Sequence, residues 1–217
     1  NKYVDSYQQM DPEDIGNTSN ITVSELAGRS NVVSRLKELN IDSKFNENDI
    51  KKLIKIIKEK ENNGFSYEVA SASLELLFKK KKKLIQSPFN LIGYDVRLQT
   101  SEENKNNQCS ASIKLSVNGN EIEEKSIGNG PVAALDKALR EALLKFYPLV
   151  DKVKLTDYKV RVVNESEATE SIVRVSIESA DDKQVWTTVG ASSNIIEASW
   201  MALSDSMEWW LTRNIIY

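Results

Sequence analysis

YDVRL at Tyr94–Leu98 and YKVRV at Tyr158–Val162 are one strand written twice, 64 positions apart. In each, apolar residues alternate with charged ones, the period of a strand with one buried face. The repetition continues downstream. SIKLSV at Ser112–Val117 returns as IVRVSI at Ile172–Ile177, Ala134, Ala138 and Leu139 return as Ala198, Ala202 and Leu203, and Phe146 is answered by Trp210. Between the strands, Asn118-Gly119 is a hairpin-turn dipeptide and Glu121–Ile127 reads as the returning strand. Each copy is therefore predicted to be a βββα unit, over about 89–148 and 153–213. Duplication with the same 64-residue shift at both ends of the unit, Tyr94 to Tyr158 and Ala138 to Ala202, implies a pseudo-twofold, expected here as two sheets packed together with helices on their other faces.

The helix of the first unit opens with GNGPVAALDKALREAL, Gly128–Leu143. Proline is well tolerated at a first helical position. A glycine loop ahead of a helix also brings free N–H groups to a dipole that favours anions. The lysine and hydroxyl residue of a Walker loop and the third glycine of a dinucleotide fingerprint are both missing, so nucleotide binding is not expected. The second copy, VGASSNIIEASW at Val189–Trp200, is read as another small-residue loop before a helix, with Ser193 or Asn194 as its cap.

Upstream the period is helical. Ser30 or Asn31 can cap a helix carrying Val32, Val33, Leu36 and Leu39. Asn46 can cap a second with Ile50, Leu53, Ile54 and Ile57, which stops at Asn62-Asn63-Gly64. Ser66 can cap a third through Val69, Ala70, Ser73, Leu74 and Leu77. The chain thus divides into an irregular arm at 1–29, a helical subdomain at 30–87 and the duplicated α+β region at 88–217. Lys79–Lys83 reads as a solvated helix end, because no aromatic residues interleave for stacking on bases. The Trp209-Trp210 pair reads as burying against a core or a partner.

Composition narrows the chemistry. The 217 residues carry a net charge of −3, which gives no global attraction to nucleic acid. No apolar run approaches the ~20 residues of a membrane helix, and a cytoplasmic setting is expected. Cys109 is the single cysteine and histidine is absent. An internal disulfide, multi-cysteine metal sites and histidine-based catalysis within these residues are thereby removed.

GNGPVAALDKALREALLKFYP, LTDYKVRV and WTTVGASSNIIEASWMALSDS together resemble the C-terminal regulatory region of citramalate synthases, within the 2-isopropylmalate synthase/homocitrate synthase family. SYQQMDPEDIGN and VSELAGRSNV are similar to the segments that follow the family's catalytic barrel. The resemblance implies a dimeric enzyme that condenses acetyl-CoA with a 2-oxo acid, pyruvate for citramalate synthase, under feedback inhibition. It implies that catalysis and a divalent metal belong to a barrel this sequence lacks, leaving the chain alone inactive, with no cofactor and no catalytic residue. Tyr7 matches a tyrosine with an accessory role at the active site.

For this chain the resemblance implies a homodimer sensing a branched-chain amino acid. That is isoleucine for a citramalate synthase and leucine for a 2-isopropylmalate synthase; a dimerisation scaffold that binds nothing is the alternative. Carried onto matching positions, the effector site would use Gly128, Asn129, Gly130, Val132 and Ala133 with Leu155, Asp157, Tyr158 and Val162, and Gly190 and Ala191 could complete it. Loop N–H groups would take the carboxylate and Asp157 the ammonium. Val132, Leu155, Tyr158 and Val162 would take the alkyl group. Tyr158, Val162 and Asp157 equally fit ordinary strand positions.

Overall fold

The computed structural model describes residues 28–99, 108–163 and 171–214. Tyr7 and nearly all of the expected arm lie outside them. Three helices come first: α1 (Arg29–Glu38), α2 (Glu47–Asn62) and α3 (Ser71–Lys81). Strands β1 (Asn90–Gln99), β2 (Gln108–Val117) and β3 (Asn120–Gly128) then lead into α4 (Pro131–Leu144). A second set, β4 (Lys154–Val162), β5 (Val173–Ala180) and β6 (Val185–Ser192), leads into α5 (Ile195–Asn214). The α+β class and the paired βββα units are as the sequence predicts.

The duplication extends to backbone detail. Each unit is an antiparallel meander with its middle strand central. Both first strands carry a register shift at the same place, Leu91/Gly93 in β1 and Leu155/Asp157 in β4. Tyr94 faces Ile113 across its pair, and Tyr158 faces Ile177. Asn118 and Gly119 turn the β2–β3 hairpin at φ 51° and 81°, the left-handed pair that the dipeptide predicts.

The arrangement of the layers corrects one expectation. The apolar face of β2, with Cys109, Ala111, Ile113, Leu115 and Val117 buried, lies under α4. Val175 and Ile177 of β5 lie under α5, and the two helices touch each other. The helices, rather than the sheets, meet at the centre. The outer face of the first sheet is polar, lined by Asp95, Arg97, Ser112, Glu123 and Lys125, whereas part of the outer face of the second is covered by α3 at β6.

Helix starts differ from the sequence reading in two cases. Asn46 caps α2 through a full capping box with Asp49, as expected. Gly28 rather than Ser30 or Asn31 precedes α1, with no side-chain cap. Helix α3 begins at Ser71, not after Ser66, so residues 66–70 are a loop and Val69 is 63 % exposed. Gly64, at φ 91°, closes α2 in a conformation that suits glycine.

The helical region has its own core around Leu36, Leu53, Ile57, Leu74 and Phe78, and Val189 of β6 joins it. Helix α3 thus lies against the second sheet. Ser73 Oγ accepts from Val189 N at 3.1 Å and donates to Asp205 Oδ2 at 2.7 Å. Glu75 is buried and accepts from Lys79 Nζ, Trp209 Nε1 and Arg213 Nη2. Burial raises its pKa, but those three donors outweigh the burial and hold the carboxyl below its ordinary value.

The lysine run is therefore not simply solvated. Lys79 pairs with Glu75, Lys80 with Glu208 at 2.7 Å, and Lys82 with Asp49 at 2.6 Å. Trp209 and Trp210 bury within the chain, at 6 % and 3 % exposure. Their indole N–H groups find Glu75 and Asp181.

Candidate functional site

The glycine segment is shorter as a loop than the sequence suggests. Strand β3 runs through Gly128, paired with Cys109, and α4 starts at Pro131, so only Asn129 and Gly130 connect them. The two glycines have different roles. A Cβ on Gly128 would meet Ala134 N at 2.4 Å and Ala133 C at 2.8 Å, so glycine lets the strand end press against the first turn of α4. Gly130 has open space around it and an extended backbone at φ −166°. Its lack of a side chain leaves the helix start accessible.

The corresponding segment of the second unit is not a loop. Gly190 and Ala191 lie inside β6, and the connection is Ser193-Asn194. A Cβ on Gly190 would stand 2.0 Å from Ala198 O, so this glycine admits α5 against the sheet. Ala191 is buried and pairs with Arg174. Asn194 Oδ1 accepts from Ile196 N at 2.8 Å, identifying Asn194 rather than Ser193 as the cap. Both small residues serve packing, which the spacing of a presumed loop concealed.

On β4, Leu155 and Tyr158 turn toward the helices and pack on the central core. Tyr158 Oη lies 2.9 Å from Ser199 Oγ, which donates to Ile195 O. Val160 and Val162 follow on the same side and are 40 % and 54 % exposed, since α5 does not reach them. Ser199 is a contact the sequence reading missed. Its small hydroxyl on a helix face gave no separate signal.

Asp157 departs from the expected constellation. Neighbouring strand residues face opposite sides, so Asp157 lies on the outer face while Tyr158 lies inside. It is paired with Lys159, whose hydrogen bond lowers its pKa, and its Oδ1 accepts from Tyr158 N. The structure therefore does not bring Asp157 together with Leu155, Tyr158 and Val162. Instead it lines a groove of about 400 Å³ shared with Ser66, Arg161, Arg174 and Glu178.

No hydrogen bond or ion pair among the described residues joins Gly128–Ala133 to Leu155–Val162. Val132 packs on the same core as Leu155 and Tyr158, and among the described residues that core is what links them. The elements of an apolar pocket with a helix N-terminus are present in one chain, but in two places. Among the described residues no group of three or more His, Cys, Asp or Glu is placed to hold a metal ion, and no helix is long and apolar enough to cross a membrane.

Comparison with known proteins places this geometry. The model of the LeuA allosteric (dimerisation) domain matches residues 68–211, which include both βββα units. The chain is similar to (R)-citramalate synthase of Aquifex aeolicus, 46% identical over 98% of this chain and 40% of the relative. It is similar to (R)-citramalate synthase of Geobacter sulfurreducens, 41% identical over the same shares. A 2-isopropylmalate synthase of Shewanella frigidimarina is 24% identical over 100% of this chain and 38% of the relative. The chain spans about 40% of the length of these curated relatives. With a family model covering both units, the chain belongs to the LeuA allosteric (dimerisation) domain family.

Proposed function

We propose that the chain is the regulatory and dimerisation region of an (R)-citramalate synthase, an enzyme condensing acetyl-CoA with pyruvate, and that it senses isoleucine as feedback inhibitor. The observation that carries this reading is the 46% identity to (R)-citramalate synthase across 98% of the chain. The parent enzyme's chemistry and any divalent metal belong outside these residues.

The apolar side chains left open on the helix-facing side support a homodimer. Leu98, Val160 and Val162 are 58 %, 40 % and 54 % exposed there, and a second copy would cover them. In that assembly the helix start at Asn129–Ala133 takes the effector's carboxylate, with Gly128 bringing strand and helix together. Leu155, Tyr158 and Val162 take its alkyl side chain, and backbone carbonyls rather than Asp157 take the ammonium. Gly190 and Ala191 act by packing α5 and β6.

Calorimetry with isoleucine, leucine and valine tests the reading. Isoleucine should bind with one effector per chain and more tightly than the other two. Tighter leucine binding would move the assignment to a 2-isopropylmalate synthase type. Absence of heat and of thermal stabilisation with all three would leave a dimerisation scaffold only.

A further inference from the structure

The groove beneath the 64–70 loop lies on the outer face of the second sheet, and the duplication supplies its control: the same face of the first sheet carries a smaller groove of about 290 Å³ lined by Asp95, Arg97, Ser110, Ser112, Glu123 and Lys125, without the overhanging loop. On the outer face of the second sheet, like charges stand directly opposite one another. Asp157 pairs in register with Glu178, and Arg161 with Arg174. Directly opposed like charges destabilise a sheet. The first sheet has the same backbone but avoids this. There Gly93 faces Lys114, Asp95 faces Ser112, and Arg97 faces Ser110. Its charges are neutralised locally, Arg97 by Asp95 at 2.8 Å, Lys114 by Glu121 at 2.5 Å and Lys125 by Glu123 at 3.5 Å. Segregated charge is therefore not a requirement of the βββα unit.

The groove also has a roof. Arg174 donates through Nε to Gly64 O and through Nη2 to Phe65 O at 3.3 Å, tying the loop to the sheet. Ser66, Glu68 and Val69 then overhang the strands. The acidic end is occupied, because Asp157 pairs with Lys159 and Glu178 accepts from Thr156 Oγ1 at 2.9 Å. The basic end lies four residues along β4, about 13 Å away at ~3.3 Å per residue. Arg161 has no hydrogen-bond or ion-pair partner among the described residues, although it stands opposite one cation and beside another, Lys159. The hydroxyls of Ser66 and Ser176 line the same groove.

We propose that this roofed groove is a binding site for a small oxyanion, a carboxylate or a phosphate group, held by the Arg161 guanidinium beside Arg174 with hydroxyl donors from Ser66 and Ser176. An oxyanion on Arg161 gives that guanidinium charge-assisted hydrogen bonds and offsets its repulsion from the neighbouring cations Lys159 and Arg174. The site lies on the opposite sheet face from Tyr158. It is separate from the isoleucine reading and stands or falls independently of it.

Nuclear magnetic resonance titration of the whole chain, at constant ionic strength set with chloride, tests the assignment. One arm uses inorganic phosphate and the other citrate. Saturable shifts confined to amides at 66–69, 159–161 and 174–176 are expected in at least one arm, and the responding arm identifies the group. Arg161→Ala should weaken binding at least about tenfold, while Arg97→Ala, at the equivalent position of the first unit, should leave it unchanged. Shifts that do not saturate in either arm would overturn the proposal. So would equal affinity in Arg161→Ala and wild type, or equal losses in the two variants.

Discussion

Adding one methyl group at each of three glycines separates packing from access at the two strand-to-helix junctions. In Gly190→Ala the new Cβ would lie 2.0 Å from Ala198 O and 2.8 Å from Met201 Cβ, where ordinary contact begins at 3.4 Å. Helix α5 would have to retreat by about 1.4 Å, and the obstructing atom is helix backbone that cannot rotate away. Overpacking of this kind costs about 1–3 kcal/mol, and the depth of the overlap puts Gly190→Ala at about 3 kcal/mol. For a domain of this size that is a loss of about 6–12 °C in Tm. Gly128→Ala, with Ala134 N at 2.4 Å, should cost about 2 kcal/mol. Gly130→Ala meets nothing within 4 Å at an extended φ, so it should be neutral or stabilise by up to about 1 kcal/mol. Urea unfolding followed by fluorescence of the buried Trp186, Trp200, Trp209 and Trp210 reads all three. Gly130→Ala should nonetheless weaken isoleucine binding, since its methyl group crowds the open helix start. Wild-type stability in Gly190→Ala, or a loss in Gly130→Ala as large as in Gly190→Ala, would refute the division of roles.

Glu75→Ala should destabilise by about 3–5 kcal/mol in the same unfolding assay, because it leaves Lys79, Arg213 and the Trp209 indole without their shared buried acceptor; a loss under 1 kcal/mol would show that α3 and α5 do not depend on it. Asp205, 27 % exposed and flanked by Lys80, Ser73, Glu208 and Lys60, has its carboxyl pushed up to about 6 by burial. The folded state thus holds this proton more tightly than the unfolded one, so the associated stability is fully present below about pH 4 and falls away as pH rises through about 6, by at most about 3 kcal/mol. Asp205→Asn, which can still accept from Ser73, should flatten that slope between pH 4 and 6 relative to wild type; an unchanged slope would assign the dependence to other groups.

The difference between what was legible and what was not follows from the range of the interactions. Asn46, Asn118-Gly119 and Asn194 were readable because capping and turn chemistry act within a few residues, and the structure uses each as expected. Ser66 was misread as a cap because the helix it would start is delayed to Ser71, where α3 packs on β6. Gly190-Ala191 looked like a loop because small residues also serve close helix–sheet contact, and one local pattern cannot distinguish the two. The candidate site was half legible. The alternation that marks β4 as a strand already separates Asp157 from Tyr158, and the structure places them on opposite faces.

Sequence alone determined the two βββα units, because strand and helix periods and a 64-residue shift shared by the first strands and the helices are properties of the chain itself. It also excluded histidine chemistry and an internal disulfide within these residues by composition. Tertiary structure decided which faces meet. The helices lie inside, Trp209 and Trp210 bury within their own chain, and α3 covers β6 while leaving a charged groove over β4 and β5. Those outcomes depend on surfaces more than a hundred residues apart, such as Glu75 with Trp209 and Ser73 with Asp205. Local periodicity gives each element its apolar side, whereas the side it buries against is settled only when the whole chain competes for the same core.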